Sequence, residues 1–183
     1  MRKVASCVAA LGLLAPVATA AVIYVDDDAP AGGNGQSWTT AFTFLQDALA
    51  AAQAGDEIRI AGGTYYPDRD AAHPTGTADR NASFVLVSGV GIYGGYAGLS
   101  LPSDPDRRDR QLYASTLSGN IGSPTNPWDN SRHVVTATGT AQGSLLDGLN
   151  VAEGLWVRLP AHKRHGPVPL KRHVDAAGML DHE

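Results

Sequence analysis

Hydrophobic residues in this chain come in short bursts. Ile58 to Ile60, Phe84 to Val87 and Val90 to Tyr93 are rich in β-branched or aromatic residues, and each is closed by glycine or proline. The pattern returns at Ser115 to Leu117, His133 to Thr136 and Leu145 to Val151, each ending near glycine or a small polar residue. Runs this short predict strands, not helices. Only Ser88 and Gly89 separate the second run from the third. That break suits a hairpin turn, with Gly supplying a positive φ, or a corner where an extended chain bends and continues. The further runs downstream favour the corner.

One segment has helical spacing. Between Ser37 and Gln53, Trp38, Phe42, Leu45, Leu49 and Ala52 recur every three or four residues and fall on one face. Ser37 is placed as an N-cap and Gly55 as the C′ glycine. The expected role of this helix is to cover the apolar end of the strand array that follows.

Three polar stretches interrupt the strands. Tyr65 to Ala82 carries Asp68, Arg69, Asp70, His73, Asp79 and Arg80, and is expected to project as a polar loop, a position from which it could line a groove. Its His73 has no assignable partner, and Asn81-Ala82-Ser83 is a glycosylation sequon expected to be unused. Ser103 to Arg110 mixes Asp104, Asp106 and Asp109 with Arg107, Arg108 and Arg110. It reads as salt-bridged surface, and as a candidate clamp for acidic sugars, because arginine binds carboxylates bidentately. Asn120 to Asn130 contains Trp128, which either stacks on a sugar ring or packs down on the strands, the second being expected. Arg107, Arg108, Arg110 and Trp128 are thus the candidate ligand-groove residues.

At the start, Arg2 and Lys3 precede an apolar stretch, Val4 to Val17, and the small-x-small sequence Ala18-Thr19-Ala20. This reads as a secretory signal peptide over residues 1–20; the apolar stretch is shorter than the ~20 residues of a spanning helix. Cys7, the single cysteine, lies inside that leader, so the mature chain would have no thiol, disulfide or cysteine-bound metal. Asp26, Asp27 and Asp28 offer oxygen ligands for calcium. Consecutive residues on an extended strand point to opposite sides, however, so a solvated strand end is expected instead. After Val151 the character changes: the chain reads Leu155-Trp156-Val157-Arg158 and then turns rich in His, Pro, Lys and Arg, with His162, His165, His173 and His182. Residues 152–183 are expected to be an irregular, disordered or frameshifted tail, not a histidine metal site.

The full chain has 183 residues, a formal net charge of −4, 21 glycines and 11 prolines. The length suits one domain, the charge argues against nucleic acid as a partner, and the glycine and proline counts suit many tight corners. Gly94-Gly95-Tyr96-Ala97-Gly98 follows a strand without opening a helix, so it is not a nucleotide loop.

Five short motifs follow one another: Ile58-x-Ile60-x-x-Gly63-Thr64-Tyr65, Val90-x-Ile92-Tyr93-Gly94-Gly95-Tyr96-x-Gly98, Thr116-Leu117-Ser118-Gly119-Asn120, His133-Val134-Val135, and Leu146-Asp147-Gly148-Leu149-Asn150-Val151. Their order resembles the start of a right-handed parallel β-helix. It is similar to secreted bacterial proteins of the pectate-lyase-like superfamily, including those with polymorphic outer-membrane-type repeats. The resemblance covers roughly Ile23 to Val151. It implies a mainly β fold: an N-terminal capping α-helix and about the first two coils of the β-helix over residues 21–151. It also implies polysaccharide or a cell-envelope component as partner. In family enzymes the catalytic residues lie on middle coils, beyond the part matched here. No paired carboxylates, nucleophile motif or phosphate loop stands out in this chain. The expectation is therefore a non-catalytic secreted or cell-surface module with a structural, adhesive or carbohydrate-binding role. The alternatives are the N-terminal part of a β-helix lyase or hydrolase, or a fragment without function. No transmembrane span is expected in the mature chain, and the last coil, lacking a visible cap, is expected to self-associate. N-terminal sequencing of exported protein should begin at Ala21; an intact Met1 would overturn the leader assignment.

Overall fold

The computed structural model describes residues 19–137, 143–154 and 156–158. Most of the leader, and the four histidines from His162 onward, lie outside the described residues.

The predicted strands form, and all of them pair in parallel. Strands β1 (Val22–Val25), β2 (Glu57–Ala61), β5 (Gly91–Tyr96) and β8 (Leu145–Asp147) make one sheet in that order. Strands β3 (Gly63–Tyr65), β6 (Ser115–Ser118) and β9 (Leu149–Ala152) make a second, and β4 (Phe84–Val85), β7 (His133–Thr136) and β10 (Trp156–Arg158) a third. From β2 onward the chain visits the sheets in rotation. The strand triplets β2-β3-β4, β5-β6-β7 and β8-β9-β10 follow one another along the sequence, so the described residues hold three rounds where two are expected from sequence.

The break at Ser88-Gly89 is a corner. β4 and β5 lie in different sheets, and Gly89 takes φ +73° there, a value that favours glycine. Within the first sheet the register stacks like on like. Ile23 pairs with Ile58, Ile58 with Ile92, and Ile92 with Leu146. The alternate positions form the other face, Tyr24 beside Arg59, Arg59 beside Tyr93, and Tyr93 beside Asp147. Because strand side chains alternate, the first row turns into the core and the second toward solvent. Phe84, Leu117, Val134, Val135 and Tyr65 from the other two sheets join the same core, each no more than 3% exposed.

The segment expected to be one helix divides. Trp38–Thr40 is a 3₁₀ turn, Phe42 is extended, and only α1 (Leu45–Ala51) is α-helical. The reason is competition from β1: Phe42 donates its N–H to the Tyr24 carbonyl and its carbonyl accepts from the Asp26 N–H, both at 2.9 Å. Ser37 caps nothing; its hydroxyl bonds those of Thr39 and Thr40. The β-branched Thr39, Thr40 and Thr43 weaken helix propensity in this stretch. The helix closes at Ala52, so Gly55 serves the following turn and not the helix end. The predicted apolar stripe is shared accordingly. Leu45, Ala48 and Leu49 enter the main core, and Phe42 and Ala52 pack at its margin. Trp38 joins a second cluster with Ala61 and Tyr96, its ring 4.9 Å from that of Tyr24 and 5.7 Å from that of Tyr96.

The expectation of an irregular tail from residue 152 is corrected at its beginning. Ala152 closes β9, and Trp156–Arg158 pairs in parallel with β7, Trp156 opposite His133 and Arg158 opposite Thr136. Trp-Val-Arg, with an aromatic and a β-branched residue, suits a strand wherever a pairing edge is offered. Residues 159–183 lie outside the described residues. Among the described residues no helix is long and apolar enough to cross a membrane.

Leu45, at 2% exposure, is the helix residue set deepest in the core beside Ala48. Leu45→Ala should destabilise the protein by about 2–5 kcal/mol, read as a lower urea midpoint with an unchanged slope. An unchanged midpoint would show that α1 does not complete the core.

Candidate functional site

The polar loop between β3 and β4 does not stand free. Pro67 and Asp68 are buried, and α1 holds the loop at both ends. Gln46 donates from Nε2 to the carbonyls of Pro67 and Ser83, and the Asp47 carboxylate accepts the Ala71 N–H at 3.1 Å. The loop and the segment before α1 therefore face each other across two adjoining hollows that share Thr43 and Phe44. The smaller, about 330 Å³, is lined by Asp27, Thr64, Tyr65, Tyr66 and Arg69. The larger, about 720 Å³, is mainly apolar, with Ala29, Phe42, Ala51 and Pro74 among its walls. The Arg69 guanidinium lies 4.1 Å from the centre of the Tyr66 ring. The combination of an aromatic face, a guanidinium, two threonine hydroxyls and a carboxylate beside apolar walls can take a ligand with both hydroxyls and carbon faces. The expectation of a projecting loop is corrected, since its start and end are tied down on α1; Tyr66, Arg69, Ala71 and Pro74 border the two hollows. His73 is exposed, and its Nδ1 lies 2.9 Å from Asp70 Oδ1, the partner that sequence did not supply.

Asp27 belongs to the acidic triplet. One oxygen from each of Asp26, Asp27 and Asp28 lies within 4.8 Å of the other two, contrary to the expectation of side chains pointing apart. The chain leaves β1 at Val25 and turns at Asp27 and Asp28, so the alternation of an extended strand no longer applies. The oxygen chemistry is that of a calcium ligand set. Three of these oxygens already accept main-chain N–H groups: Asp26 Oδ1 that of Asp28, Asp26 Oδ2 that of Leu99 at 2.7 Å, and Asp27 Oδ2 that of Thr64 at 3.0 Å. Their first role is to brace the end of β1 against β3 and the segment after β5. Burial pushes the Asp26 carboxyl above its ordinary value, against the Leu99 and Asp28 N–H groups that draw it down. The Asp27 carboxyl is raised for the same reason, opposed by the Thr64 N–H.

The sequence-predicted basic residues lie elsewhere. Arg108 and Arg110 converge on one carboxylate, Asp147, at 2.9 and 3.0 Å. Arg108 also donates from Nε to the Gly94 carbonyl at 2.8 Å, and its guanidinium sits 5.5 Å from the ring centres of Tyr93 and Tyr96. These two charges clamp β5 to the end of β8. Arg107 is exposed, and among the described residues no ion pair holds it. Trp128 sits on the loop between β6 and β7, which borders a hollow with Glu153 and Gly154 and takes the Arg80 guanidinium on its Asn130 carbonyl. It is 76% exposed, which corrects the expectation that it packs down. Pro127 and the Asn126 side chain, which accepts the Trp128 N–H, form a 3₁₀ turn that holds the backbone while the ring stands out. The four candidate residues therefore do not form one groove.

Compared with known proteins, the chain matches no family model, no curated protein and no solved structure.

The two kinds of carboxylate predict opposite pH behaviour. The hydrogen bond from Arg108 holds the Asp147 carboxyl below its ordinary value near 3.8. A depressed carboxyl contributes stability that is present above that ordinary value and is lost as pH falls through the folded value. Asp26, raised from 3.8, contributes stability that is present at low pH and is lost as pH rises through its folded value. Thermal melts should show Asp147→Asn most damaging at neutral pH and least in acid. Asp26→Asn should compare more favourably with the wild type at neutral pH than in acid. Parallel shifts at both pH values would refute this assignment.

Proposed function

We propose that the mature chain is a secreted or cell-surface module built as a right-handed parallel β-helix, non-catalytic, that holds a polysaccharide of the cell envelope along its side. The observation that carries the reading is the strand rotation, in which three parallel sheets receive one strand each per round, with isoleucines stacked in register between rounds. Parallel crossover connections are right-handed in the great majority of cases, which supports the hand. Solenoids carry their ligands on insertions that project from one side. Here the insertion between β3 and β4 faces the segment before α1 across the paired hollows, and Tyr66 with Arg69 supplies a stacking surface there. The far edges of β8, β9 and β10, with Leu145 49% and Val151 39% exposed, are the place where a further chain would add.

The test is affinity electrophoresis of the mature protein through gels containing neutral or acidic polysaccharides, with end-group assays on the same mixtures. Retardation by at least one polysaccharide is expected, without new reducing or unsaturated ends. Tyr66→Ala and Arg69→Ala should each weaken binding about tenfold, equivalent to ~1.4 kcal/mol. Release of new ends that is abolished by denaturation would make the chain an enzyme. Absence of retardation, or retardation indifferent to both substitutions, would remove the groove from the binding surface.

A further inference from the structure

The two hollows beside α1 differ in chemistry, and the difference bears on what a bound sugar chain must carry. The smaller, about 330 Å³, is polar, with Asp27, Thr64, Tyr66 and Arg69 on its border. The larger, about 720 Å³, is walled by Ala29, Phe42, Ala50, Ala51, Ala71 and Pro74. They meet at Thr43 and Phe44, so one ligand can reach both. Concave sites of this kind hold ligands by apolar walls and orient them by a few polar groups.

Three separate segments supply the apolar walls. Ala29 comes from the turn after β1, Ala50 and Ala51 from α1, and Ala71 and Pro74 from the loop between β3 and β4. The α1 residues are informative. Leu45, Ala48 and Leu49 take the buried face of the helix, and Ala50 and Ala51 are exposed, where a surface helix ordinarily carries polar side chains. The polar side chains in the lining of the larger hollow are Thr43 and Asp47, and each already holds a main-chain group. The Thr43 hydroxyl donates to the Ala29 carbonyl at 3.3 Å, and the Asp47 carboxylate accepts the Ala71 N–H at 3.1 Å. A sugar hydroxyl set against these walls would lose water without gaining a partner. A methyl group in the same place gains by leaving water.

Charge narrows the choice further. Asp27 borders the smaller hollow, with Asp26 and Asp28 gathered beside it, and Asp47 borders the larger. Among the lining residues described, Arg69 is the cation that faces them. A uronate entering here would meet more negative charge than positive, and like charges repel more strongly where water is partly displaced.

We propose that the paired hollows take a neutral polysaccharide bearing acetyl groups, with one sugar ring beside Tyr66 and Arg69 in the smaller hollow and the acetyl methyl of the adjoining sugar in the larger. This rests on the polysaccharide reading above and narrows it to a substrate class. An N-acetyl and an O-acetyl group present the same methyl and carbonyl to the apolar walls. Mild alkali distinguishes them, because it removes only the ester.

The test extends affinity electrophoresis of the mature protein to matched polymers. The gels hold glycol chitin (which is N-acetylated), acetylated glucomannan before and after mild alkali, hydroxyethylcellulose, and polygalacturonate. Glycol chitin, or glucomannan before but not after alkali, should bind about tenfold or more tightly than hydroxyethylcellulose and polygalacturonate. Ala51→Leu and Ala71→Leu fill the larger hollow from opposite walls, and both positions are exposed, so unfolding temperatures should stay near that of the wild type. Each should remove most of the preference for acetylated polymer and leave the weaker retardation by hydroxyethylcellulose as it is. Tyr66→Ala should weaken every retained polymer. If no polymer retards the protein, the polysaccharide reading and this proposal fall together. If polymers retard it but glucomannan binds equally before and after alkali, and glycol chitin no better than hydroxyethylcellulose, the polysaccharide reading stands and the acetyl proposal fails. A preference for polygalacturonate, or an acetyl preference that survives both substitutions, also overturns it.

Discussion

The structure depends on one constraint: parallel strands in register must place the same kind of side chain at the same height in each round. Ile23, Ile58, Ile92 and Leu146 meet this in the first sheet, and Tyr65, Leu117 and Val151 occupy the matching row in the second. A shift of one residue in any strand would turn its apolar row outward and bring the Tyr24, Arg59, Tyr93 and Asp147 row into the core. The burial of charge and the loss of apolar contact would oppose such a slip together. Register is therefore fixed by chemistry on both faces of each strand, and the strands themselves can be as short as the two residues of β4.

What the strands cannot supply is closure at the corners, and there the polar residues act. Asp26 and Asp27 use carboxylate oxygens to hold main-chain N–H groups from two other parts of the chain. Arg108 and Arg110 share Asp147 at another corner, and Ser115 Oγ donates toward the Ile60 and Ala61 carbonyls while accepting the Gly95 N–H. Such contacts, several of them screened from water, satisfy backbone groups that a ladder of short strands leaves unpaired. Many of the charged residues that look like ligand-binding candidates in a linear reading are therefore occupied in the fold. The hollows beside α1 and the loop from Asn120 to Asn130 differ from these corners. In the first, side chains border open space; in the second, the Oδ1 atoms of Asn120, Asp129 and Asn130 have no donor among the described residues.

The sequence by itself determined the strand class, the corner at Ser88-Gly89, the apolar runs that hold Ile58, Ile92 and Val134, and the positions of the three polar insertions. Those features rest on local composition and period, which survive any tertiary arrangement. Tertiary structure decided the rest. Phe42 left the helical pattern because β1 offered its backbone two hydrogen bonds, which period alone cannot reveal. Gln46 and Asp47 became the staples of the groove because their partners lie more than twenty residues away. Trp156 to Arg158 became a strand because β7 presented an unpaired edge. The gathering of Asp26 to Asp28 follows from a turn whose stabilising partners, Leu99 and Thr64, come from separate rounds of the chain. In each case the deciding energy came from a contact between residues far apart in sequence, and no local pattern records such a contact.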